Sequence, residues 1–363
     1  MKRIVFCIFL VPLFCLSGQV AGQMPGAPAS PLESAHRDKL IGNLSEQLTE
    51  VYVFPEVAEN MVELINTRNE QGAYDQFLSL AAFTDQLTED LQSISHDKHL
   101  NIQAVPPPRG KSGETLSEQQ MAARQLARAK AVNFGFEQIS IPPGNIGYLD
   151  LRMFYGAEDG GPTAIAAMNF LANSAALIFD LRKNGGGDPS MIQLISSYLF
   201  DESKHLNTFF IRRSNSTEQY WTQASVQGPK MVVTPVYLLT SNRTFSAAEE
   251  FTYNLKNMKR ATVVGETTGG GAHPVDMVFA DLGDGLFVRM SIPFGRAINP
   301  ITGTNWEGTG VTPHVEVPAA DALDVAQLMI LDELLLSEAD PDRKLELEGV
   351  KDELASKRLD CVK

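Results

Sequence analysis

From Ile146 onward the chain alternates short β-type runs with helical ones, and this alternation constrains the fold more than any other feature. Ile146 to Phe154, Ala175 to Leu181, Asn207 to Arg212, Met231 to Thr240 and Ala261 to Gly265 read as strands. Between them, Pro162 to Asn173, Pro189 to Phe200 and Ser246 to Met258 read as helices. Such alternation implies an α/β fold whose sheet is substantially parallel and covered by helices. Ligands of such sheets collect at the carboxyl ends of the strands, where loops turn into helices.

The residues before Ile146 have a different rhythm. Leu40, Leu44, Leu48 and Val51, then Met61, Leu64 and Ile65, recur at helical spacing, which predicts a small helical N-terminal domain over 32–104. The stretch Val105 to Gly113 carries PPPRGKSG, and its prolines remove donors and fix φ, so 105–145 is read as a linker followed by a polar helix. The α/β core is expected over 146–318, with a helical tail over 319–363. At the other end, Lys2 and Arg3 precede the apolar run Ile4 to Leu16 and small residues around Ala21 and Gly22. This is the layout of a secretory signal peptide over 1–22, too short to span a bilayer comfortably and interrupted by Pro12. The expectation is an exported protein, in a bacterial periplasm or secreted, without a stable membrane anchor.

A formal net charge of −14 and the lack of a Lys/Arg stripe argue against nucleic acid as a partner. Two of the three cysteines, Cys7 and Cys15, leave with the leader, so Cys361 has no intrachain partner. No His/Cys spacing resembles a metal site, and neither metal nor cofactor is expected.

Two loops at strand ends carry unusual residues. In DLRKNGGGDP a strand meets Gly185, Gly186 and Gly187 before a helix, which lets backbone N–H groups face a bound anion. In YLLTSNRTFSAAEEF a strand runs into a helix headed by Ser246. Ser246 with Glu249 also satisfies the S-x-x-E capping box, the commoner use of such a serine. A serine at that place, beside the N–H of Ala247 and the glycine loop, could equally attack a carbonyl while those amides hold the oxyanion. It does not sit in a G-x-S-x-G elbow, so a different hydrolase scaffold is required.

DLRKNGGG, TSNRTFSAAEEF, VVGETTGGGAHP and WEGTGVTPHVEV, in that order, resemble the successive motifs of the tail-specific, or C-terminal processing, peptidase family. The resemblance implies a crotonase/ClpP-like core of βα units and a serine peptidase acting on peptide or protein substrates. In one branch of that family a lysine serves as base, and here its position holds Gly271. The chain therefore looks like the other branch, similar to the tricorn core and to interphotoreceptor retinoid-binding protein modules. That branch implies a histidine base: His99 in SHDKHLNI, with His96 and His273 in reserve. It also implies Glu307 as the orienting acid, with Gly186, Gly187 and Ala247 as oxyanion donors. A serine relay is replaced here by Lys98, so that either Glu307 reaches His99 directly or Ser95 or a water takes the relay's place. The alternative reading is a non-catalytic module binding a retinoid, a fatty acid or a peptide tail in the same crevice.

Overall fold

The computed structural model describes residues 32–107 and 116–361, so the expected leader and most of the Pro/Gly linker lie outside the described residues. The chain divides into two compact units. The first holds the chain up to Arg124 together with Phe209–Glu218 and His273–Ala297; the second holds Gln125–Thr208, Gln219–Ala272 and Ile298–Lys363.

The first unit begins with helices α1 (Ser34–Val51), α2 (Pro55–Glu70) and α3 (Leu80–Ser95). Leu40, Leu44, Leu48 and Val51 are fully buried along one face of α1, as their spacing predicts. Pro55 starts α2, where its missing N–H costs no hydrogen bond, and the Ser79 hydroxyl caps α3 by accepting the Ala82 N–H at 3.3 Å. Strand β1 (Asn101–Val105) then pairs antiparallel with Leu286–Pro293, which pairs in turn with Val275–Gly283. Val288, Met290 and Ile292 of this hairpin share one apolar cluster with Leu44, Phe83 and Leu87 of the helices. The hairpin is not among the strands expected from the sequence.

The second unit is built on β2 (Phe136–Ser140), β3 (Ile146–Leu151), β4 (Ala176–Asp180), β5 (Val236–Thr240), β6 (Thr262–Gly265) and β7 (Val315–Glu316). Their order in the sheet is β7-β6-β5-β4-β3-β2. All neighbours are parallel except the edge pair β2–β3. Every residue of β3, β4 and β5 is buried, which is what parallel strands covered on both faces require. Successive residues serve opposite faces. Leu177, Phe179 and Leu238 pack with residues of α4 (Ala157–Phe170), α5 (Pro189–Ser197) and α6 (Ala247–Asn257). Ile178, Tyr237 and Leu239 pack with α7 (Ala322–Ser337) and α8 (Pro341–Cys361).

Helix α4 departs from expectation. Proline suits a helix N-terminus, which makes Pro162 the expected first residue, but the helix starts five residues earlier and carries Pro162 inside it. Gly160 N–H still reaches the Gly156 carbonyl at 2.9 Å, so the first turn closes before the proline. Among the described residues no helix is long and apolar enough to cross a membrane.

Leu238 is fully buried at the centre of the sheet, so Leu238→Ala should lower the unfolding free energy by about 2–5 kcal/mol. Urea titration followed by circular dichroism measures this; a loss under about 1 kcal/mol would contradict the burial.

Candidate active site

At the carboxyl end of β5 the chain is laced to the glycine loop that follows β4. Thr244 Oγ1 donates to the Leu181 carbonyl at 2.8 Å, Ser241 Oγ to the Arg182 carbonyl at 2.6 Å, and Phe245 N–H to the Asn184 carbonyl at 3.1 Å. The next residue, Ser246, sits at the N-cap of α6 with φ 54° and ψ −123°. Ser246 and Glu249 do form the capping box, but a serine acting only as a cap has extended backbone with negative φ, so capping alone does not account for this conformation. It is a strained strand-to-helix turn of the kind that lifts a nucleophile out of its loop. Gly186 makes the turn possible. A Cβ on it would lie 2.7 Å from Ser246 Cβ and 3.1 Å from Ala247 N, and its own φ of +115° suits glycine.

Glu249 does more than reciprocate a cap. Its buried carboxylate accepts the Ser246 N–H at 2.9 Å, the Gly271 N–H at 2.8 Å, the Gly270 N–H at 2.6 Å and the Thr268 hydroxyl at 2.5 Å. Burial pushes this carboxyl up to about 7, and the four donors pull it the other way. The S-x-x-E pattern shows the first contact; the other three join segments about twenty residues apart and leave no local signal.

Of the expected oxyanion donors, Gly186 is corrected. Its N–H is held by Asn184 Oδ1 at 2.9 Å, so its contribution is the missing side chain. For the Gly187 and Ala247 N–H groups no acceptor is found among the described residues. Gly187 has φ +145° and packs so closely that a Cβ would lie 2.0 Å from the Phe154 carbonyl oxygen.

Glu307, expected as the orienting acid, is half-buried in the turn after Trp306 and accepts the Ala272 N–H at 2.5 Å through Oε2. Its loop is fixed by Trp306 Nε1–H to the Gly271 carbonyl at 2.7 Å and Gly308 N–H to the Gly270 carbonyl at 3.1 Å. Gly271, where a lysine base would stand, thus donates to Glu249 and accepts from Trp306.

The three candidate histidines stand in the first unit. His96 is the exposed C-cap of α3, with φ 54°. His273 is buried, its Nδ1 2.6 Å from Asp97 Oδ2, with Phe54 edge-on at 5.5 Å. Asp97 also accepts the His99 backbone N–H through Oδ1 at 2.9 Å. Burial pushes the His99 imidazole down to about 4; the Asp97 charge opposes this and His273 reinforces it. The hydroxyl of Ser95, the candidate relay, accepts the Asp97 N–H at 3.2 Å. Asp97, two residues before His99, is absent from the sequence-based expectations, although it joins His99 and His273 in the structure.

A second buried acid follows Glu249 on α6. Glu250 faces the amides of Asn207 and Asn254, and burial pushes its carboxyl up to about 8.

Comparison with known proteins places this chain among relatives. Residues 145–317 match the family model of peptidase family S41, and residues 34–134 match a model described as the N-terminal domain of that family in eukaryotic IRBP. A chloroplastic C-terminal processing peptidase of Tetradesmus obliquus is 27% identical over 199 residues, covering 49% of this chain and 37% of that relative's length. Among solved structures, mature CPAF is similar with a TM-score of 0.57 and 12% identity, covering 83% of this chain and 97% of that one. The tricorn protease gives a TM-score of 0.50 and 15% identity, covering 89% of this chain and 37% of that one. Both likenesses concern the fold.

Two measurements test this geometry. Glycine adopts the Ser246 backbone without strain, so Ser246→Gly should be more stable than Ser246→Ala by about 1 kcal/mol after its own entropy cost. Equal or lower stability of the glycine variant in thermal unfolding would rule the strain out. For Glu250, raised from 4.5 to about 8, the folded chain keeps a proton that the unfolded chain has lost. Its stability contribution is present at low pH and is lost as pH rises through that window, at about 1.4 kcal/mol per pH unit. Glu250→Gln should flatten that slope, and chemical denaturation at pH 5 to about 9 would show parallel curves if the residue were ionised throughout.

Proposed function

Because the chain belongs to peptidase family S41, we propose that it is a serine peptidase cleaving peptide bonds through an acyl-enzyme on Ser246. The observation that carries this reading is the Ser246 turn, strained at φ 54° beside the side-chain-free Gly186. A serine needed only to cap α6 would not require that backbone. Ser246 Oγ attacks the substrate carbonyl carbon, and the Gly187 and Ala247 N–H groups receive the negative charge on the carbonyl oxygen. The tetrahedral adduct collapses, the C–N bond breaks, and the amine leaves with the serine's proton; water then releases the acyl group by the same steps. In this proposal His99 is the base that carries the proton, and Glu307 is the acid assigned to orient it.

The substrate class is peptide or protein, as for the C-terminal processing peptidase to which the chain is similar. Export is proposed from Lys2, Arg3 and the Ile4 to Leu16 run. A binding module using the same crevice remains the rival.

A fluorophosphonate probe separates the two. Wild type should label covalently, Ser246→Ala should not, and His99→Ala should label at least about a hundredfold more slowly. A folded wild-type protein that takes up no probe would leave the binding module as the better reading.

A further inference from the structure

The second unit carries a cavity of about 310 Å³ at the amino ends of β5 and β6, the end of the sheet opposite Ser246. Val236 and Thr262 open those strands onto it, and the last turn of α6 and the residues just after it supply Lys256, Lys259 and Arg260. His314, Tyr237 and Glu333 complete the polar lining.

The charges in this lining do not balance. Three cationic side chains face one carboxylate, in a chain whose formal net charge is −14. The carboxylate is already engaged: Glu333 Oε1 accepts the Tyr237 hydroxyl at 2.6 Å. Arg260 spends Nε and Nη2 on the carbonyls of Leu199, Met231 and Thr234 at 2.7–2.8 Å, and Lys256 Nζ donates to the Thr312 carbonyl. Carbonyl dipoles solvate these cations without neutralising them. Among the described residues no ion pair is formed by Lys256, Lys259 or Arg260. Burial disfavours the charge on Lys256 and on Arg260, so both stand to gain from an anion. His314 adds a neutral donor. Its Nδ1 accepts the Val263 N–H at 3.0 Å, which puts the ring proton on Nε2.

We propose that this cavity is a binding site for a small doubly charged oxyanion of the phosphate or phosphomonoester type, held by Lys256, Lys259, Arg260 and His314. The excess of two positive charges suits a dianion better than a carboxylate, and the volume leaves room for a substituent on the phosphate.

The test is calorimetric titration of the full chain with inorganic phosphate, glycerol phosphate and, as a monoanion, acetate. Phosphate should bind the parent at least about tenfold more tightly than acetate, and Lys259→Glu and Lys256→Gln should each weaken it at least about tenfold. The Lys259 side chain makes no hydrogen bond among the described residues, so its reversal should leave the fold intact. An unchanged thermal unfolding midpoint of Lys259→Glu by circular dichroism checks that. A tighter ester than free phosphate identifies an organic phosphate as the occupant; equal affinities identify the free ion. Absence of phosphate binding, acetate binding as tight as phosphate, or equal phosphate affinity in Lys259→Glu would overturn the proposal, whatever the outcome at Ser246.

Discussion

The second unit's site depends on one buried carboxylate. Each oxygen of Glu249 takes two donors: Thr268 and Gly270 on Oε1, Ser246 and Gly271 on Oε2. Removing it would strand four donors, and an unpaired buried polar group costs more than a hydrogen bond returns. A protonated carboxyl would need an acceptor, and three of the four neighbours are backbone N–H groups that only donate. The contacts propagate beyond α6, since Thr268 Oγ1 also accepts the Val311 N–H at 2.7 Å. The backbone of Ser246, the glycine turn before His273 and the loop bearing Glu307 are therefore parts of one hydrogen-bonded assembly.

Asn184 does the corresponding work on the other side of Ser246. Fully buried, it accepts the Gly186 N–H on Oδ1, donates from Nδ2 to the Leu151 carbonyl at 2.8 Å, and offers its own carbonyl to Phe245 N–H. One side chain and its peptide thus tie the end of β3, the glycine loop and the Ser246 loop together. This explains how a serine can hold φ 54°: strained backbone persists only where its surroundings over-determine it.

The parallel core is legible in the sequence because buried strands and covering helices leave periodic marks within ten residues, as in Ala176–Asp180 and Ala247–Asn257. The hairpin ending at Pro293 is not, because its partner strand begins at Asn101 and its apolar residues serve the helical unit. The same limit applies at the site. Motif order singles out Ser246 and Glu307, but Asp97 and His273 are 176 residues apart, and no local pattern announces their 2.6 Å contact. Nor does sequence reveal a dihedral angle: S-x-x-E fits a plain cap and a strained nucleophile turn equally well.

The first unit shows how its histidines are managed electrostatically. Burial favours the neutral imidazole of His99, which is the form able to accept a proton, and a nearby His273 pushes the same way. Once protonated, such a ring needs a negative charge close by. Asp97 is that charge, placed by Oδ1 on the His99 N–H and by Oδ2 on His273 Nδ1. Asp97 stands two residues before His99 in the sequence, so a buried carboxylate is built in beside any positive charge the imidazole takes up.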